Sequence, residues 1–219
     1  MTTLVIGAHG QVGQHIVHDL AANGETVFGG IRNAEQAASI DKQGGQARMF
    51  DLMGTADAMV PAMQGIDTVV FSAGSGGSTG DDMTLNIDLD GAVKAMIATE
   101  KAGIKRFIMV SAMGTGNREA WAKSSIRPYY VAKYYADQWL QHRTDLAYTI
   151  VRPGILTNDA PTGKLALNPT KSDNRSITRA DVAATVAAAV AHPLPRQIIT
   201  LVNGETPIDQ ALSQAAVLQ

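Results

Sequence analysis

The chain contains no cysteine, which excludes disulfides, thiolate nucleophiles and cysteine-bound metals. No apolar stretch approaches the roughly 18 residues that a membrane-spanning helix needs. The opening Met1-Thr2-Thr3 lacks the basic segment of a secretory signal and runs straight into an apolar strand. A cytoplasmic enzyme is the expectation. Charge of one sign is also missing: 18 Lys and Arg stand against 20 Asp and Glu, a net charge of −2 with no block of like charge. Neither nucleic acid nor an anionic membrane is therefore expected as a partner. The histidines, His9, His15, His18, His142 and His192, show no metal-ligand spacing with carboxylates. They read as solvated or helix-end residues, and no metal is expected.

What remains is an ordinary globular composition, 45% hydrophobic and 17% charged over 219 residues, enough for a full core and unlike a disordered or fibrous chain. No linker divides it, so a single domain over 1–219 is expected.

The stretch Leu4-Val5-Ile6-Gly7-Ala8-His9-Gly10-Gln11-Val12-Gly13 organises the rest. An apolar run breaks into glycines three apart, and Val12, Ile16 and Leu20 then recur at helical spacing. This predicts strand, tight turn and helix. Glycines suit a sharp bend, a backbone that lets a pyrophosphate come close, and a helix packed hard on its strand. The first N–H groups of that helix would face the phosphates, which makes a dinucleotide the expected ligand. The spacing G-x-x-G-x-x-G differs from the commoner G-x-G-x-x-G, and by itself also fits a βα turn whose glycines serve packing.

After Asn23-Gly24, a suitable helix exit, a second strand is predicted over Glu25–Ile31. NAD-selective sites carry an acidic residue at about this distance from the glycines, to bind the ribose 2′-hydroxyl. Here stand Arg32-Asn33, and a guanidinium suits a 2′-phosphate. NADP(H) is expected to be preferred, with NAD(H) possible.

A helix over Ala34–Lys42 leads to a third strand, Gln46–Phe50, and to Asp51-Leu52, a carboxylate and an apolar face for an adenine. Met49, Met53, Met59 and Met63 read as adaptable packing beneath that region. A fourth strand, Asp67–Phe71, opens into the small-residue loop Ser72-Ala73-Gly74 through Gly80. A helix from about Asp82 to Ala102-Gly103 precedes a fifth strand, Lys105–Val110, ending at Ser111-Ala112-Met113. Regular alternation of this kind demands a doubly wound parallel sheet in a three-layer α/β arrangement, joined by right-handed crossovers. Ligands of such sheets bind beyond the carboxyl ends of the strands, where the glycine turn, Arg32, Asp51, Ser72 and Ser111 fall.

The segment Pro128–Leu140 predicts a helix opened by proline. Tyr129 and Lys133 are four apart and share a face. A neighbouring ammonium lowers a phenol's pKa toward the range useful for proton transfer with a carbonyl or alcohol. Four of the five tyrosines crowd this helix, so the spacing alone also fits a helix that merely covers the sheet.

With these motifs the chain resembles the short-chain dehydrogenase/reductase superfamily, in its compact atypical NAD(P)H-binding branch, which includes epimerase/dehydratase-like and NmrA-like proteins. The resemblance spans nearly the whole chain and rests on Gly7-Gly10-Gly13, Arg32, Asp51-Leu52, Ser72-Ala73-Gly74, Val110-Ser111, Tyr129-x-x-x-Lys133 and Tyr148 through Arg152-Pro153-Gly154. It implies a Rossmann-like fold, Tyr129 as acid/base, Lys133 holding the nicotinamide ribose while tuning Tyr129, and Ser111 orienting the substrate oxygen. Around the dinucleotide it implies Gly7, His9, Gly10, Gln11, Val12, Gly13, Arg32, Asp51, Leu52, Ser72, Ala73, Gly74 and Lys133, with Pro153 and Gly154 bordering the nicotinamide. Met113 and Ile155 are assigned to the substrate side. The chain is too short for the substrate domain of the family's larger members, so large sugar-nucleotides are not expected.

From Ile155 to Ser176, with Asp159, Pro161, Gly163, Pro169 and Asp173, the chain reads as a loop, and a substrate lid is expected over about 155–177. Thr178-Arg179-Ala180-Asp181 is a helix start, continued by Val182, Val186 and Val190. A strand over Gln197–Val202 and a terminal helix after Pro207 complete the reading. The leading expectation is an NADP(H)-dependent oxidoreductase acting on a small carbonyl, enone or alcohol, as a monomer or homodimer. Two alternatives stand beside it. One is a flavin or quinone reductase without side-chain acid/base chemistry; the other is a non-catalytic NADP(H)-binding redox sensor.

Overall fold

Strand β1, Thr2–Ile6, lies at the centre of the sheet with Leu4, Val5 and Ile6 all buried, as befits a strand covered on both faces. The structure is a computed structural model that describes residues 1–169 and 175–217. After β1 come α1 (Gln11–Ala22), β2 (Thr26–Ile31), a single 3₁₀ turn (Ala34–Gln36) running into α2 (Ala37–Lys42), and β3 (Gln46–Met49). The short α3 (Ala56–Met59) and β4 (Thr68–Phe71) follow. Helix α4 is one continuous rod in three runs, Asp81–Met83, Thr84–Gly91 and Ala92–Lys101, of which the middle run is π-helical. Then come β5 (Arg106–Val110), α5 (Arg118–Trp121), α6 (Arg127–His142) and β6 (Ala147–Pro153). The chain ends with β7 (Ile155–Thr157), β8 (Lys164–Leu167), β9 (Ser176–Thr178), α7 (Arg179–Ala191), β10 (Gln197–Asn203), β11 (Thr206–Pro207) and α8 (Ile208–Val217).

The main sheet runs β3-β2-β1-β4-β5-β6-β10-β8-β11, parallel from β3 to β10 with β8 and β11 antiparallel at one edge. It is a Rossmann-like α/β fold. Alternate residues serve opposite cores, as the two-residue period of a strand requires. Val5, Val70, Ile108 and Val151 pack with Ile16 and Leu20 of α1 and with Val182, Val186 and Val190 of α7. Leu4, Ile6, Phe71, Phe107 and Ile150 pack with Met96 of α4 and with Ala136 and Leu140 of α6. Among the described residues no helix is long and apolar enough to cross a membrane.

Two expectations are corrected here. The stretch read as a loop from Ile155 to Ser176 carries short strands. β7 pairs in parallel with β9, Ile155 opposite Ser176, and β8 joins the main sheet, Leu165 opposite Asn203 and Leu167 opposite Leu201. Leu165 is fully buried, so the segment gains core burial that its turn-forming neighbours concealed; Asp173 lies outside the described residues. The methionines also divide. Met59 and Met63 are buried in the core, but Met49 and Met53 are 56% and 55% exposed at the end of β3.

Candidate functional site

The glycine turn is built as its spacing requires. Gly7 has φ +82°, and a Cβ on it would sit 2.6 Å from the backbone of Ala73. A Cβ on Gly13 would lie 2.2 Å from the Gly7 carbonyl oxygen and 2.9 Å from Ala8 Cα, so α1 docks on its turn only with glycine there. Helix α1 starts at Gly10 with no side-chain cap and no acidic residue in its first turn. Its opening N–H groups therefore face the ligand edge without an internal anion to compete for them. Ser72, at the end of β4, adds a buried Oγ without a hydrogen-bond partner among the described residues. These features fit a dinucleotide phosphate lying over the turn.

Arg32 is exposed at the carboxyl end of β2. Gln36 Oε1 fixes the backbone there by accepting from the Arg32 and Asn33 N–H groups at 3.1 and 3.3 Å. Ser39 Oγ donates to the Gln36 carbonyl at 2.7 Å, which leaves His9 Nδ1–H to donate to Ser39 Oγ at 2.9 Å. His9 thus ties the glycine turn to α2. Asp51 is exposed and caps its own turn, Oδ1 accepting from Met53 N–H at 2.8 Å. Leu52 packs against the core on the α4 side.

Across the edge, α6 presents Tyr129, Lys133 and Asp137 at successive four-residue steps. Lys133 is buried. Its ammonium pairs with Asp88 Oδ1 at 3.1 Å and donates to the carbonyls of Ala73 and Val110, each at 3.4 Å. Asp88 comes from the π-helical run of α4, and its Oδ2 accepts from Ser75 N–H at 2.9 Å. Gly74 permits this approach, because a Cβ there would stand 3.1 Å from Asp88 Oδ1. Ala73 therefore touches both halves of the site: its backbone abuts Gly7 and its carbonyl receives Lys133.

Tyr129 is half-buried, with its ring centroid 5.7 Å from Lys133 Nζ. Burial holds its hydroxyl above the ordinary tyrosine range; the Lys133 charge opposes that shift and Asp88 adds to it. The net direction is the reverse of what the ammonium alone would produce. Burial works against the Lys133 charge as well, but Asp88, together with Tyr129 and Asp137, outweighs burial and holds the Lys133 pKa above the ordinary lysine value.

Ser111 is buried and its Oγ donates to Asp137 Oδ2 at 3.0 Å. The same oxygen receives Arg152 Nε at 3.0 Å and Nη2 at 2.8 Å. Asp137 is fully buried, and burial raises its pKa against the pull of Arg152 and Ser111. The loop after β5 continues beside β6, with Met113 N–H bonded to the Pro153 carbonyl at 2.8 Å. Gly154 packs where a Cβ would meet the Arg175 carbonyl at 2.3 Å. Ile155 is 67% exposed at the same edge. Among the described residues no group of three or more His, Asp or Glu is placed to hold a metal ion.

The sequence reading missed Asp88, Asp137 and Arg152. Asp137 stands two turns beyond Tyr129, and Arg152 lies inside the motif before Pro153, so spacing could have found both. Asp88 has no local signal.

The chain matches the NAD(P)H-binding family model over residues 7–193. It is 44% identical over 217 residues to a Bacillus subtilis protein named uncharacterized sugar epimerase YhfK, covering 98% of this chain and 100% of the relative. A solved Bacillus halodurans structure, named as an NAD-dependent epimerase/dehydratase, superposes with TM-score 0.92 at 39% identity, covering 98% of this chain and 99% of that one. ChuY of Escherichia coli O157:H7, described as an anaerobillin reductase, superposes with TM-score 0.76 at 27% identity, covering 94% and 98%.

Proposed function

The chain belongs to the NAD(P)H-binding family, and from that premise we propose that it is an NADP(H)-dependent oxidoreductase whose substrate is a small carbonyl, enone or alcohol. The bound dinucleotide would supply or accept the hydride. The opening turn of α1 would hold the pyrophosphate, Arg32 the 2′-phosphate, Asp51 and Leu52 the adenine, and Pro153 and Gly154 the nicotinamide side. Tyr129 would give its hydroxyl proton to the substrate oxygen. Met113 and Ile155 would line the substrate side.

The observation that supports this reading is the double contact of Ala73, whose backbone abuts Gly7 and whose carbonyl accepts from Lys133. The Ser111 proton is already committed to Asp137, so donation toward a substrate oxygen falls to Tyr129. The reductase description of ChuY and the epimerase name of YhfK belong to those proteins, and each is compatible with hydride chemistry at this edge.

Two measurements test the reading. Purified protein is expected to oxidise NADPH in the presence of a carbonyl panel, and to bind NADPH more tightly than NADH. Arg32→Ala is expected to reduce that preference by about 10- to 100-fold, which corresponds to ~1.5–3 kcal/mol for hydrogen bonds to a charged group. An unchanged ratio of the two dissociation constants removes Arg32 from the argument. Tight NADPH binding without turnover across the panel selects the sensor alternative.

A further inference from the structure

Lys133 is expected, by family resemblance, to steady a ribose and acidify Tyr129, yet its ammonium already has a buried ion-pair partner and two carbonyl acceptors. These are Asp88 Oδ1 at 3.1 Å and the carbonyl oxygens of Ala73 and Val110 at 3.4 Å. The ion pair is shut away from water, with the side chains of Lys133 and Asp88 only 4% and 1% exposed. In such surroundings the charges interact far more strongly than they would in water. Asp88 is itself fixed from its other oxygen by Ser75 N–H. It stands on a π-helical run, a form of backbone that frequently marks functional sites.

We infer that Asp88 is a positioning residue that offsets the Lys133 charge at Tyr129 and so helps set the site to give a proton, favouring reduction over dehydrogenation at neutral pH. The inference rests on the reading of Tyr129 as the acid. In that direction the bound reduced dinucleotide would supply the hydride to the carbonyl carbon and be oxidised by it. Tyr129 Oη would give its proton to the carbonyl oxygen, so that C=O becomes C–OH, and the phenolate would recover its proton from water. The ionisable groups that act on Tyr129 are Lys133, Tyr130 and Asp137 on its own helix and Asp88 across the α4–α6 interface. Of these, only Lys133 favours phenolate, and Asp88 is the carboxylate paired with it. Burial is the main cause of the raised Tyr129 pKa, and Asp88 adds to it by opposing the Lys133 charge.

The test needs no substrate. The ionisation of Tyr129 is isolated by subtracting the alkaline phenolate absorbance of Tyr129→Phe from that of the parent protein. The same subtraction is made in the Asp88→Asn background, with far-UV circular dichroism to follow the fold. The midpoint in Asp88→Asn is expected to fall by ~1–3 units, the span of one nearby charge. Adding Lys133→Met to Asp88→Asn is expected to bring it back up, since the uncancelled ammonium is what pulls it down; a mere loosening of the helix interface would persist in the double variant. Should Asp88→Asn not fold, Asp88→Ser carries the same expectation. A midpoint that stays or rises in the folded variant overturns the inference. An unmoved midpoint together with lost turnover in Tyr129→Phe sinks the Asp88 role alone. A lowered midpoint together with full turnover in Tyr129→Phe sinks the acid assignment, and with it the direction of reaction inferred here.

Discussion

Tyr129→Phe is expected to lower the rate of NADPH-dependent carbonyl reduction by about 10²–10⁴-fold, the usual contribution of a positioned general acid, while NADPH binding changes little. The ring stays where it was, in edge contact with Tyr130 at a centroid distance of 5.8 Å, so packing survives and only the hydroxyl is lost. The two other donors named with Tyr129 at this edge are already engaged. The Ser111 hydroxyl is spent on Asp137 and the Lys133 ammonium on Asp88 and two carbonyls. Burial raises the Tyr129 pKa, so the acid form persists through neutral pH. The reductive rate in the parent should accordingly show no alkaline loss attributable to Tyr129 below about pH 10, the unperturbed tyrosine value. Steady-state NADPH oxidation checks both points. Full activity in the variant would remove the acid role, and equal reduction of free flavin by parent and variant would select the flavin-reductase alternative instead.

The parallel sheet was legible because β1, β4, β5 and β6 are apolar runs closed by turn residues, and the Tyr129–Lys133 pair because the two lie one helical turn apart. The electrostatics of that pair was not, since its sign depends on Asp88, which reaches α6 from a distant element. Helical periodicity cannot place Asp88, because a π-helical run changes the phase between Thr84 and Gly91. Asp137 was hidden differently. An acid on a helix reads as solvated, and only the arrival of Arg152 from β6 makes its burial tolerable. β8 escaped notice because Leu165 and Leu167 offer two apolar residues among turn formers, and their partner strand β10 lies some thirty residues onward. Strand pairing over that distance leaves no local trace.

Asp181→Ala is expected to be strongly destabilising although it lies outside the site, because this one carboxylate ties down a segment that reads as a loop in the sequence. It is fully buried in the first turn of α7. It accepts from Thr162 N–H at 3.0 and 3.1 Å, Thr162 Oγ1 at 3.0 Å, Gly163 N–H at 2.8 Å and Asn203 Nδ2 at 2.6 Å. The approach to β8 is thereby pinned both to α7 and to β10. Removing the carboxylate takes away the acceptor of the Thr162 and Gly163 N–H groups, at ~1–3 kcal/mol each. On the order of 3 kcal/mol in total corresponds to a Tm about 6–12 °C lower for a chain of this size. Burial disfavours the Asp181 charge, but the Thr162 and Gly163 N–H groups and the Asn203 amide outweigh it, so the folded pKa lies below the usual carboxylate value. A depressed carboxylate pKa gives stability that is complete above the unfolded value of about 3.9 and is lost as pH falls through the folded one. The Tm gap between parent and variant should therefore hold steady from about pH 7 to pH 5 and narrow below about pH 4, which thermal melts across that range measure directly. A gap of a degree or less at neutral pH would show that the strap is held by its strand pairing alone. A gap that stayed constant into acid would show that the charge on Asp181 contributes nothing beyond its shape.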